Sequence, residues 1–93
     1  MLGIDTNVLV RLLVQDDRAQ SRRARELIEQ AVDRERVVWV SLLVMFETEW
    51  VLRSRYGFDK AAIRQSIISL LETRELTFED EPAIEEAVHH WKE

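Results

Sequence analysis

The chain has no cysteine. No disulfide can staple it and no thiolate site can hold a metal. That absence fits a reducing compartment, and a cytoplasmic protein is expected. One proline and two glycines leave no Pro/Gly-rich linker, and no internal repeat or low-complexity stretch divides the chain. Long apolar runs are missing too. The longest, Val8 to Val14, is interrupted by Arg11. It is too short to span a bilayer and has no basic leader, so neither a membrane span nor a signal peptide is expected. Positive charge is in deficit: 13 Lys and Arg against 18 Asp and Glu give a net charge of −5. The molecule as a whole does not attract nucleic acid. Any such contact must use a local basic patch or a bound cation.

What the chain does have suits one small soluble domain. Its 93 residues are 46% hydrophobic and 33% charged, a globular rather than a disordered balance, with a core of modest size. Leu2 to Ile4 reads as a short strand. Asp5 or Thr6 then N-caps a helix carrying Val8, Leu9, Leu12 and Leu13. Asp16 and Asp17 mark the next start. Ala24, Leu27, Ile28, Ala31 and Val32 give that helix an apolar stripe over about four turns. "RVVWVS" reads as a buried strand, and Ser41 caps a long apolar helix running to Arg55. In "RYGFD", Gly57 fits the residue after a helix end. Asp59 fits the next N-cap, with Phe58 stapled onto Ile63. Ile63, Ile67, Leu70 and Leu71 line the helix that follows. "ELTFED" alternates at Leu76 and Phe78, a third strand. Pro82 opens a last helix bearing Ile84, Ala87, Val88 and Trp91.

Strands separated by helices predict an α/β domain with a parallel sheet and right-handed crossovers. The last helix reaches Trp91 and is followed by no further strand in this sequence. The expectation is therefore the front part of a larger domain, incomplete after the helix that follows the third strand.

Two carboxylates stand out. In open parallel sheets, ligands gather at the carboxyl ends of the strands, and Asp5 directly follows the first strand. A helix cap explains Asp5 alone. Glu47 is less easily explained. Its neighbours three and four residues away are Leu43, Val44, Trp50 and Val51, all apolar. A carboxylate buried in such a stripe is costly unless paired or bound to metal. Glu49 has Arg53 four residues on, the arrangement of a surface ion pair. The helix holding Glu47 leaves from the same rim as Asp5, so the two acids are expected to converge. Oxygen ligands with several waters suit Mg²⁺ or Mn²⁺, and such an ion would let an acidic protein hold a phosphodiester.

These segments, "GIDTNVLVRLL" and "VSLLVMFETEWVLRSRYGFD", with the acid-rich rim, resemble a PIN-domain ribonuclease, and most nearly the VapC-type toxins of toxin–antitoxin pairs. The likeness runs through nearly all of residues 1–93. It implies a three-layer α/β/α fold and a Mg²⁺-dependent endoribonuclease. It makes Asp5 the first metal-binding, catalytic carboxylate and Glu47 the second. Thr6 and Asn7 match the polar pair that supports the site. It implies an RNA substrate, a cognate antitoxin whose peptide covers the acidic pocket, and a homodimer joined through apolar helix faces. The family's third acidic residue, and often a fourth, belong to a segment beyond "HHWKE". Glu79, Asp80 and Glu81 are not substitutes: cap and dipole roles at the last helix suffice for them. The alternative reading is an inactive fragment or binding module that pairs with antitoxin or with itself. A plain α/β scaffold without an RNA link is a third.

Other features read as structure. His89 and His90 are adjacent, so on a helix they point about 100° apart and do not share an ion. Glu85 and Glu86, four residues before them, suit surface pairing. "SRRARE" with Arg18, Arg34 and Arg36 offers a basic face toward RNA phosphate, but interleaved Glu26, Glu29 and Asp33 favour a solvated charged face. Trp39, Trp50 and Trp91 suit a core or a subunit interface. A dehalogenase-type phosphatase needs a second Asp where Asn7 stands.

Overall fold

The computed structural model describes residues 2–14 and 17–91, without the side chains of His90 and Trp91. The elements run β1 (Leu2–Gly3), α1 (Thr6–Leu13), α2 (Arg18–Asp33), β2 (Val38–Val40), α3 (Leu42–Ser54), α4 (Lys60–Leu71), β3 (Leu76–Phe78) and α5 (Glu81–Trp91). The three strands form one parallel sheet in the order β1-β2-β3. This is the α/β architecture the alternation of strands and helices predicts. Parallel neighbours require a crossover. The first holds α1 and α2, the second α3 and α4.

Local chemistry places the helix starts. Asp5 Oδ1 accepts from Val8 N–H at 3.0 Å, Asp17 Oδ1 from Gln20 N–H at 3.1 Å, Ser41 Oγ from Val44 N–H at 3.1 Å and Asp59 Oδ1 from Ala62 N–H at 2.8 Å. Each satisfies a backbone donor that the first turn leaves without an intrahelical partner. Asp16, the other expected start signal, lies outside the described residues. At the far end of α3, Gly57 takes φ +68°, a conformation costly for any side chain with a Cβ. The turn lets Phe58 N–H reach Leu52 C=O at 3.0 Å. Phe58 then packs against the core cluster to which Ile63 belongs.

The core forms where β2 is covered by helices. Leu9, Val38, Val40, Leu52 and Ile67 are the largest fully buried apolar side chains, each worth about 1.5–3 kcal/mol of burial. Thr48 is buried with them, and its hydroxyl donates to Val44 C=O at 2.7 Å. On α2 the buried stripe is Ser21, Ala24, Ile28 and Ala31. Leu27 and Val32, expected in that stripe, are 40% and 42% exposed. On α5, Ile84 and Val88 are buried and Ala87 is half-buried. The Trp91 side chain, expected to continue that stripe, lies outside the described residues.

Candidate functional site

The strand register builds a level rim. Leu2 pairs with Val38 and Val38 with Leu76. Three residues further along each strand come Asp5, Ser41 and Glu79. Ile4 N–H bonds Trp39 C=O, and Glu79 N–H bonds Val40 C=O, so the ladder runs up to that rim. Neighbouring strands lie about 4.8 Å apart, which sets the backbones of Asp5 and Glu79 about 10 Å from each other across Ser41.

Asp5 is exposed there. Its cap bond to Val8 uses one acceptor site of a group with about four, so capping and holding a cation are compatible. Thr6 follows half-buried, and Asn7 is exposed on the first turn of α1.

Glu47 departs from expectation. It is exposed rather than buried, because α3 is apolar on more than one side. The side it buries is Met45, Thr48 and Leu52. Glu47 belongs to the other stripe, with Leu43, Phe46 and Trp50, which are 66%, 55% and 60% exposed. The desolvation argument for Glu47 therefore does not hold in this chain taken alone. Trp50 likewise is not a core residue, whereas Trp39 is half-buried on β2. Glu47 stands six residues beyond Ser41, about 9 Å up α3. Helical side chains lean toward the N-terminus, so Glu47 leans back toward the rim, and α3 packs against α1. The structure thus brings the two elements together. Among the described residues it gathers no group of three His, Cys, Asp or Glu side chains able to hold a metal.

The acids after β3 divide their work. Asp80 Oδ1 accepts from Ala83 N–H at 3.3 Å, and Glu81 lies in the first turn of α5, as expected. Glu79 does something different. Its Oε1 accepts from Leu42 N–H at 2.8 Å, across 37 residues, and it serves α3 rather than its own helix. Pairing of β2 with β3 is needed to see this, and no local signal carries it. The surface pair Arg53–Glu49 is present at 3.3 Å. His89 is exposed on α5, and the side chain of His90 lies outside the described residues. Arg18, Arg34 and Arg36 are all exposed.

The PIN domain family matches residues 3–92. The chain belongs to the PIN-domain family. No curated protein and no solved structure matches it. A PIN domain points to nuclease chemistry, and PIN domains in general use divalent metal ions. The donors this PIN domain offers at its rim are carboxylate oxygens, which suit a hard divalent cation. Mg²⁺ is commonly held by only one or two carboxylates together with waters and substrate phosphate. No helix among the described residues is long and apolar enough to cross a membrane.

Proposed function

We propose that this PIN domain is a Mg²⁺-dependent endoribonuclease of the VapC toxin type, with Mn²⁺ able to substitute. The family match over residues 3–92 carries this reading, and the exposed carboxylate of Asp5 at the strand rim supports it. Asp5 and Glu47 would hold the ion, and Thr6 and Asn7 would orient Asp5. When bound, such an ion supplies Lewis acidity toward a phosphodiester and the water that attacks it. The chain's own residues fix where this happens. The α1 cap holds Asp5 in place, and α3 presents Glu47 from the neighbouring helix. In the cell the protein would be neutralised by a cognate antitoxin covering the acidic rim. It would pair with a second copy through the exposed apolar side of α3.

Asp5→Asn tests the assignment cleanly, because Asn caps a helix about as well as Asp. The variant is expected to fold like the parent and to lose more than about 100-fold of Mg²⁺-dependent RNA cleavage, since outer-shell partners alone cost about 10–100-fold. If Asp5→Asn cleaves as well as the parent, the assignment fails. A second reading is favoured by the lack of a third donor near these acids among the described residues. On that reading the chain is a binding module without catalysis. A parent chain that binds antitoxin or pairs with itself and shows no metal-dependent cleavage would establish it.

A further inference from the structure

Glu79 grips both sides of the turn that sends α3 off the sheet. Its N–H donates to the C=O of Val40, the last residue of β2, at 2.9 Å. Its Oε1 accepts from the N–H of Leu42, the first residue of α3, at 2.8 Å. Only Ser41 lies between those two partners. The first turn of α3 is weakly held by burial: Leu42 and Val44 are half-buried, Leu43 is exposed, and the first buried residue is Met45. The Ser41 cap on Val44 N–H joins near neighbours in the chain and travels with the helix. Burial of Met45, Thr48 and Leu52 holds α3 on the core. Apolar packing is non-directional, however, and leaves slide and roll of the helix to directional bonds.

From this arrangement we infer that Glu79 is a positioning residue, setting the exit of α3 so that Glu47 meets Asp5 at the rim. The inference rests on the metal-site reading above and gives Glu79 no contact with the ion. Glu47 stands about 9 Å up α3 from Ser41, so a swing of about 10° at the turn carries it about 1.5 Å. A constellation of ligands tolerates only about 0.5 Å. The lever is long enough for one hydrogen bond at its base to matter. Asp5 needs no such device, because its own cap bond to Val8 N–H fixes it to α1.

The test is Mn²⁺ binding, followed by loss of the free-ion signal in electron paramagnetic resonance, a readout that does not depend on cleavage. Glu79→Ala is expected to bind Mn²⁺ about 10-fold more weakly than the parent, the lower end of what a lost outer-shell partner costs. Glu79→Gln keeps an acceptor for Leu42 N–H and is expected to stay within about threefold of the parent, the screened effect of one charge about 10 Å away. Leu42→Pro cuts the same bond from the donor side and keeps the Glu79 charge. Proline is favoured at the first helical position, and Ser41, at φ −74° and ψ 157°, already has the extended backbone that precedes proline. Leu42→Pro is expected to match Glu79→Ala, and either variant that folds decides the matter. Asp59→Ala, which removes the α4 cap, controls for lost stability and is expected to bind as the parent does. The positioning role is overturned if Glu79→Ala or Leu42→Pro binds like the parent. It is also overturned if Glu79→Gln is as weak as Glu79→Ala, or if Asp59→Ala weakens binding equally. The metal-site reading fails on a separate comparison: a parent that binds no Mn²⁺, or an Asp5→Asn variant that binds it as well as the parent, sinks that reading and the positioning role with it.

Discussion

Asp5 spends one oxygen on Val8 N–H, so replacing it changes stability and chemistry by different routes. Asp5→Ala removes the cap and leaves an N-terminal donor of α1 without its partner, at about 1 kcal/mol. For a domain of this size that is a fall of about 4–8 °C in Tm. Asp5→Asn keeps the acceptor and is expected to melt within about 2 °C of the parent by the same scale. Thermal unfolding followed by circular dichroism measures both. Equal losses for the two variants would mean that the charge at the helix start, rather than the capping geometry, holds α1. Residue-scale features like this were legible because they are local. The caps at Asp5, Asp17, Ser41 and Asp59 and the left-handed Gly57 each need only a few neighbouring residues. Glu47 was not legible for the converse reason. Periodicity tells which side chains share a side of α3, and only tertiary packing decides that Met45, Thr48 and Leu52 are the side that goes in.

At the scale of elements, the contact between Glu79 and Leu42 joins the end of β3 to the start of α3. That helix start carries partial positive charge and unsatisfied N–H groups, so a carboxylate placed there both accepts a hydrogen bond and meets a favourable field. Glu79→Ala is expected to lower stability by about 0.5–1 kcal/mol, and Glu79→Gln by about half of that, since the amide keeps an acceptor and loses the charge. Urea is the denaturant to use, because guanidinium salt would screen the term being measured. A Glu79→Ala midpoint equal to the parent's would mean that Ser41 alone, through Val44 N–H, suffices at this helix start. The alternation of strand and helix was readable from β-branched runs and cap residues. This tie was not, because its partners become neighbours only once β2 pairs with β3.

For the whole molecule, the parallel α/β plan followed from element order, but which helix side remains open did not. Leu43, Phe46 and Trp50 are spaced three and four residues apart and all are more than half exposed. An apolar stripe of this kind on a folded domain marks an interaction surface more often than a solvated one. The tryptophan at its C-terminal end is of the residue type that most often anchors an interface. With a second copy as the occupant, Trp50→Lys removes the anchor and sets two like charges against each other across a two-fold interface. The fold has little reason to suffer, because exposed substitutions usually stay within about 0.5 kcal/mol of the parent. The parent is therefore expected to sediment as a dimer and Trp50→Lys as a monomer with an unchanged Tm. A parent that stays monomeric at its highest soluble concentration would sink the dimer reading. The same experiment then decides how Glu47 is to be understood. In a dimer the carboxylate stands beside apolar groups that a partner covers, which returns the desolvation that its exposure in the single chain removes. In a monomer it is a solvated acid, and Asp5 is left as the better-supported half of the proposed metal site.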